Sequence, residues 1–207
     1  MKNASLTLTA ALAALVLVAP GCMDRTQLVD QENDTEILAG IDYKDFEEAA
    51  TTTLKQILSS AKVIRATAEP KTYVVAVGKV IDETPLNLDT DLVTTRITEA
   101  LLEDDRFTIS SVFADKESNR DTMVSDVRTV RGKAEFNQGT VQSSGQLKAP
   151  DFSLFGKIIA RDVKRDNGGH QYEYYFQMKL NDLSTGTLLV SKETRIIKRT
   201  GKKSHTW

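Results

Sequence analysis

Phe152 to Lys198 reads FSLFGKIIARDVKRDNGGHQYEYYFQMKLNDLSTGTLLVSKETRIIK. Three runs rich in β-branched and aromatic residues, Phe152–Val163, Gln171–Leu183 and Thr187–Lys198, are separated by Asp166-Asn167-Gly168-Gly169 and Ser184-Thr185-Gly186. Those separators hold residues that tolerate positive φ, so the segment predicts a three-stranded antiparallel meander. An Asn167-Gly168 turn alone would set Ile159 opposite Phe176, but Arg161 opposite Tyr174 and Lys157 opposite Met178. A three-residue loop, Asp166 to Gly168, pairs Ile158 with Phe176, Ala160 with Tyr174 and Leu154 with Leu180. That gives the cleaner apolar face and is the expected register. The opposite face then carries Phe155, Ile159, Arg161, Tyr175, Gln177 and Lys179, a mixed surface. Either a helix covers it or a partner does; a helix is expected, because both sheet faces are commonly covered in α/β domains. Within it Phe155, Ile159, Tyr175 and Lys179 form, on pattern alone, the candidate partner-binding patch.

Upstream, the period of the apolar residues changes. Asp42 is placed to cap a helix, and Phe46, Ala50, Leu54, Ile57, Leu58, Ala61 and Ile64 recur at helical spacing, predicting one long amphipathic helix closed by Pro70. Tyr73 to Ile81 is Val-rich and short, and is bounded by the Asp82–Pro85 turn, which reads as a buried strand. Asp89 caps a second helix with Val93, Ile97, Ala100 and Leu101 on one face. Arg106–Phe113, with Phe107, Ile109 and less cleanly Val112, is the next strand. Strand, helix and strand in that order predict a right-handed parallel crossover. Asp115–Arg131 ends in Met123, Val124, Val127 and Val130 and reads as a helix; Gly132–Ala149 reads as a surface loop pinned by Phe136 and Leu147. The fold class expected is therefore α/β (α+β): a mixed sheet of about five strands, with a β-α-β start and a C-terminal meander, flanked by helices.

The chain is 207 residues, 40% hydrophobic and 27% charged, with net charge −2. It lacks the basic balance expected of a nucleic-acid binder. Its single cysteine excludes an internal disulfide. Lys2 followed by the apolar run Leu6–Ala19 has the length of a signal h-region, short of the roughly 20 apolar residues a transmembrane helix needs. Val18-Ala19-Pro20-Gly21-Cys22 resembles a bacterial lipobox, which implies cleavage of residues 1–21 and acylation of Cys22, an anchor stable with two or more chains. Met23 rather than Asp after the cysteine favours the outer membrane. Residues 22–41, polar and acidic at Asp30, Glu32, Asp34 and Glu36, read as a flexible tether. Its steps from Cys22 to Tyr43 span at most about 70 Å extended and roughly 25 Å as a coil. Residues 42–200 form the globular domain and 201–207 a basic tail. With Lys198, Arg199, Lys202 and Lys203, the C-terminus reads either as contact with an anionic cell wall, peptidoglycan included, or lipid surface, or as solvated chain.

Materials for catalysis are poor. His170 falls at a hairpin turn and His205 in the tail, and no His/Cys/Asp spacing resembles a zinc site, so neither metal, cofactor nor enzymatic activity is expected. Asp82 and Glu83 follow a strand, where α/β ligands often bind, but carboxylates are also common in turns, and that is the expected role. Gly78 stands alone within its strand, which marks close packing rather than a phosphate loop.

Lipobox, tether and long helix, then Tyr73–Val77 through Asp82-Glu83-Thr84, Ile97–Leu101, Arg106–Ile109, Asp151–Phe155 and Leu180–Leu189 with Ser184-Thr185-Gly186, resemble the LpoB family of outer-membrane lipoprotein activators of penicillin-binding proteins. The resemblance covers Tyr43 to Thr200, and the N-terminal domain of TolB shares the layout. It implies a non-enzymatic protein that docks on an accessory domain of a class A penicillin-binding protein and stimulates glycan polymerisation and crosslinking. Two features depart from the family's pattern. Only four prolines occur, so the long Pro-rich linker is missing, and Val190 stands where an aromatic residue is common. The alternative is a structural or assembly lipoprotein of an envelope secretion or wall-attachment complex.

Overall fold

The computed structural model of the protein describes residues 41–113, 121–164 and 170–199. The leader, Cys22, the tether up to residue 40, the Asp166–Gly168 loop and the basic tail lie outside the described residues. Helix α1 (Tyr43–Leu58) opens with a reciprocal cap, Asp42 accepting from the Asp45 amide and Asp45 from the Asp42 amide, each at 3.0 Å. The expected single helix is broken in two. After α1, Ser59 and Ser60 interrupt the chain, and the Ser60 hydroxyl caps a short α2 (Ala61–Ala66). Serine competes for backbone partners and favours caps over helix interiors. The break re-aims the chain so that Val63 is buried and Ile64, predicted to lie on the apolar stripe, is 52% exposed.

Strands β1 (Tyr73–Val77) and β2 (Ile81–Glu83) replace the one strand read from sequence, giving six strands rather than about five. The chain jogs at Gly78–Val80 and both pieces pair in parallel with the same long strand, so part of the expected Asp82–Pro85 turn is strand. Helix α3 (Thr90–Leu102) is capped by Asp89 as predicted and buries Val93, Ile97 and Leu101. Strand β3 (Phe107–Ile109) is shorter than the expected Arg106–Phe113 and pairs in parallel with β1, which fulfils the β-α-β expectation. The expected helix over Asp115–Arg131 reduces, among the described residues, to a single turn, α4 (Met123–Asp126). Residues 114–120 lie outside the description. Met123 is 67% exposed, and the pins Phe136 and Leu147 are exposed as well. This stretch holds its shape through its own polar groups instead: the Gln138 amide nitrogen donates to the carbonyls of Val130, Lys133 and Phe136.

The meander is as read from sequence: β4 (Phe152–Lys164), β5 (His170–Asp182) and β6 (Thr187–Arg199) are antiparallel neighbours. Ile158 pairs with Phe176, Ala160 with Tyr174 and Leu154 with Leu180, the predicted register. Gly186 turns the second hairpin at φ +68°. The sheet order is β3-β1-β4-β5-β6, with β2 alongside β4, and β6 forms one edge. On one face Phe46, Leu54, Ile57, Val75, Ile158, Phe176 and Met178 build the core with α1 and α3. Phe46 meets Tyr174 edge-on at 5.7 Å, while Phe152 lies tilted against Tyr73 at 5.6 Å and meets Phe107 edge-on at 6.5 Å. Gly156 is the close approach that makes this packing possible: a Cβ there would sit 3.2 Å from Val80 and 3.5 Å from Phe176.

Candidate partner-binding face of the meander

Alternation along a strand sends Leu154, Ile158, Phe176 and Met178 into the core and their neighbours to the opposite face. Four cross-strand rows follow from the register. Phe155, Lys179 and Ser191 form the first; Ile81, Lys157, Gln177 and Glu193 the second; Glu83, Ile159, Tyr175 and Arg195 the third; Arg161, Glu173 and Ile197 the fourth. All four residues of the predicted patch, Phe155, Ile159, Tyr175 and Lys179, are thus brought together. The expected helical cover is missing among the described residues. Lys179 is exposed, Phe155 is 36% exposed, and Ile159 and Tyr175 are half-buried. The reason is composition: α1, α2 and α3 carry one apolar stripe each and the core face consumes all three.

Several side chains on this face are tied to neighbours. Phe155 lies against Gly78, in the jog between β1 and β2, where a Cβ would stand 3.6 Å from its ring and 3.5 Å from the Leu154 carbonyl oxygen, ordinary contact distances that do not require a glycine. The Tyr175 hydroxyl donates to the Glu173 carboxylate at 2.6 Å, and Glu173 is 8% exposed. Lys157 reaches diagonally to Glu83 at 3.2 Å, and the Gln177 amide donates to Glu193. Asp82, weighed above as a ligand site, spends both oxygens on the backbone: Oδ1 accepts from Thr84 at 2.9 Å and Oδ2 from Leu88 at 2.7 Å. It shapes the β2–α3 loop, which is the turn role expected. Sequence reading missed Ile81, Glu83, Lys157, Glu193, Arg195 and Ile197 as members of the face. Parity counted from the second hairpin would have put Val190, Lys192 and Thr194 on this face instead, because a register shift at Leu180/Asn181 moves the β6 pairing by one residue; β2 was hidden by being read as a turn.

Among the described residues no group of three or more His, Cys, Asp or Glu is placed to hold a metal. No helix among them is long and apolar enough to cross a membrane.

A mixed sheet packed by helices on one face, with the other face open among the described residues, makes this a small α/β domain. The chain belongs to the LpoB family of peptidoglycan-synthase activators, whose family model matches residues 45–196. Among solved structures it is similar to the LpoB C-terminal domain from Salmonella enterica, at 16% identity and TM-score 0.43 over 73% of this chain and 98% of that one. It is also similar to Escherichia coli LpoB, at 14% identity and TM-score 0.40 over 93% and 91%. Lipoprotein GNA1162 from Neisseria meningitidis matches at 13% identity and TM-score 0.38 over 64% and 87%. No curated protein sequence matches the chain.

Proposed function

We propose that this protein is an outer-membrane lipoprotein, anchored through acyl chains on Cys22, that binds a class A penicillin-binding protein and activates it. The docking surface in this reading is the open meander face around Phe155, Ile159, Tyr175 and Lys179, and the protein catalyses nothing itself. The observation that carries it is that face: a partly apolar sheet surface that no helix covers among the described residues, in a member of a synthase-activator family. Activation then takes the form of tighter binding to the active conformation of the synthase, because a ligand biases an equilibrium only by its differential affinity. The basic tail, with Lys202 and Lys203, is a second contact in this reading, to peptidoglycan or lipid.

The test is the glycan polymerisation rate of the same bacterium's purified class A synthases, with and without the full-length protein in detergent. A rate increase that Tyr175→Ala abolishes, with folding intact, supports the reading. No binding and no rate change with any of them overturns it and favours a structural or assembly lipoprotein.

A further inference from the structure

Among the described residues, each carboxylate on the open face has a side-chain partner. Glu83 is paired with Lys157, Glu193 accepts from Gln177, and Glu173 is buried and accepts from Tyr175. The cations are not all so used. Arg161, Lys179 and Arg195 are exposed, and none has an ion pair or side-chain hydrogen bond among the described residues. Among the described residues this face therefore carries three cations without an ion pair, against one exposed carboxylate, Glu193, whose partner is a neutral amide. By register these three stand around the apolar residues: Lys179 beside Phe155, Arg195 beside Tyr175, and Arg161 one row beyond Ile159. Apolar centres supply buried area and flanking charges supply steering and orientation.

We infer that the surface seated here is an acidic patch of a protein, its carboxylates set around an apolar centre to meet Arg161, Lys179 and Arg195. This rests on the reading above that the face binds a synthase, and adds how that partner is recognised. An anionic lipid surface fits the same cations less well. Glu193 is exposed in the middle of the β6 contribution, and a plane of phosphates would repel it, whereas a protein can set a donor against it.

The experiment measures affinity of the full-length protein in detergent for each purified class A synthase across salt, and for phosphatidylglycerol vesicles. The comparison is wild type against Arg161→Glu/Lys179→Glu/Arg195→Glu, with Lys133→Glu/Lys148→Glu on the 121–150 stretch as the control, and circular dichroism verifying that each folds. The expected result is synthase binding that weakens with salt, drops at least about tenfold in the triple variant and is kept by the control. Synthase binding that survives the triple reversal overturns this inference while leaving the proposed function standing. Loss of vesicle binding alone in the triple variant also overturns it, in favour of a lipid-facing surface. Absence of wild-type binding to every synthase overturns the functional reading and this inference with it.

Discussion

The hydroxyls of Thr53 in α1 and Thr194 in β6 lie 2.7 Å apart across 141 positions of chain. Thr53 is fully buried and its hydroxyl also lies 2.7 Å from the Ala49 carbonyl oxygen. The Thr53 hydroxyl is the donor toward both oxygens, its single proton shared between the Ala49 carbonyl and the Thr194 hydroxyl. This polar stitch fixes the first helix over the last strand and sets which residues of β6 turn outward.

Thr53→Val keeps the shape and removes the hydroxyl that donates to Thr194. The expected cost is about 1 kcal/mol, rising to about 2 if the Thr194 hydroxyl finds no water. Urea denaturation of Thr53→Val, Thr194→Val and the double variant checks it. Coupling between the two sites should be about 0.5–1.5 kcal/mol, and additive losses would show that the bond contributes nothing.

Gly156 sits where β4 passes under buried Val80. Alanine there gains from a stiffer unfolded chain by less than about 1 kcal/mol, but must push a β-branched side chain that has little freedom to move. Net destabilisation of about 1 kcal/mol is expected for Gly156→Ala, and about 2–3 for Gly156→Val. Thermal melts of the two variants would refute the packing argument if Val proved as stable as wild type.

Arg106 binds Asp104 at 2.6 Å and also donates to the Thr67 hydroxyl at 3.1 Å and the Leu58 carbonyl at 3.3 Å, joining the ends of α1 and α2 to β3. The Arg106 hydrogen bonds hold the Asp104 carboxyl below its usual value against the opposing effect of burial. A depressed folded value means that this stabilisation is full above the ordinary carboxylate range and is lost as pH falls through the depressed value. Arg106→Met should therefore cost about 1–2 kcal/mol at pH 7, discounted because about a third of the side chain is exposed. Stability curves for the variant and wild type should converge toward strongly acid pH; a difference that stays constant with pH would mean the loss is packing alone.

Phe46 and Phe136 provide a matched contrast. Phe46 is 1% exposed and Phe136 is 44% exposed. Phe46→Ala should cost about 3–5 kcal/mol, and Phe136→Ala should stay within about 0.5 kcal/mol of wild type. Equal losses in denaturant midpoint would mean that Phe136 is a pin after all.

Where the chain obeys one period at a time, the residues announce their places. The meander is legible because a slip of one position would have put Arg161 against Tyr174 and Lys157 against Met178, a penalty visible without coordinates. Capping at Asp42 and Asp89 is legible for the same local reason. The division of Tyr73–Ile81 into two strands is not, because each piece is defined by pairing with β4, more than 70 positions away. Ser59 and Ser60 were a readable stop inside an apolar stripe that kept going. The candidate face was half legible: β4 and β5 gave the four central residues through pairing, but whether a helix covered them depended on how three helices divide one core. Phe136 and Leu147 misled because an exposed aromatic on a self-bonded loop has the same letters as a buried one.

The thirteen residues of β6 form a sheet edge more than twice as long as a typical strand of roughly 5–6 residues. An edge of that length with a plain apolar sequence would recruit the next chain into a growing ribbon. Lys192, Glu193 and Arg195 stand exposed at its centre, and alternation sends them out on both sides. Stacking a second sheet edge against this one would strip water from charges above and below the ribbon plane at once. Charges at that position are colloidal in effect, since they oppose edge-to-edge pairing of one chain with the next.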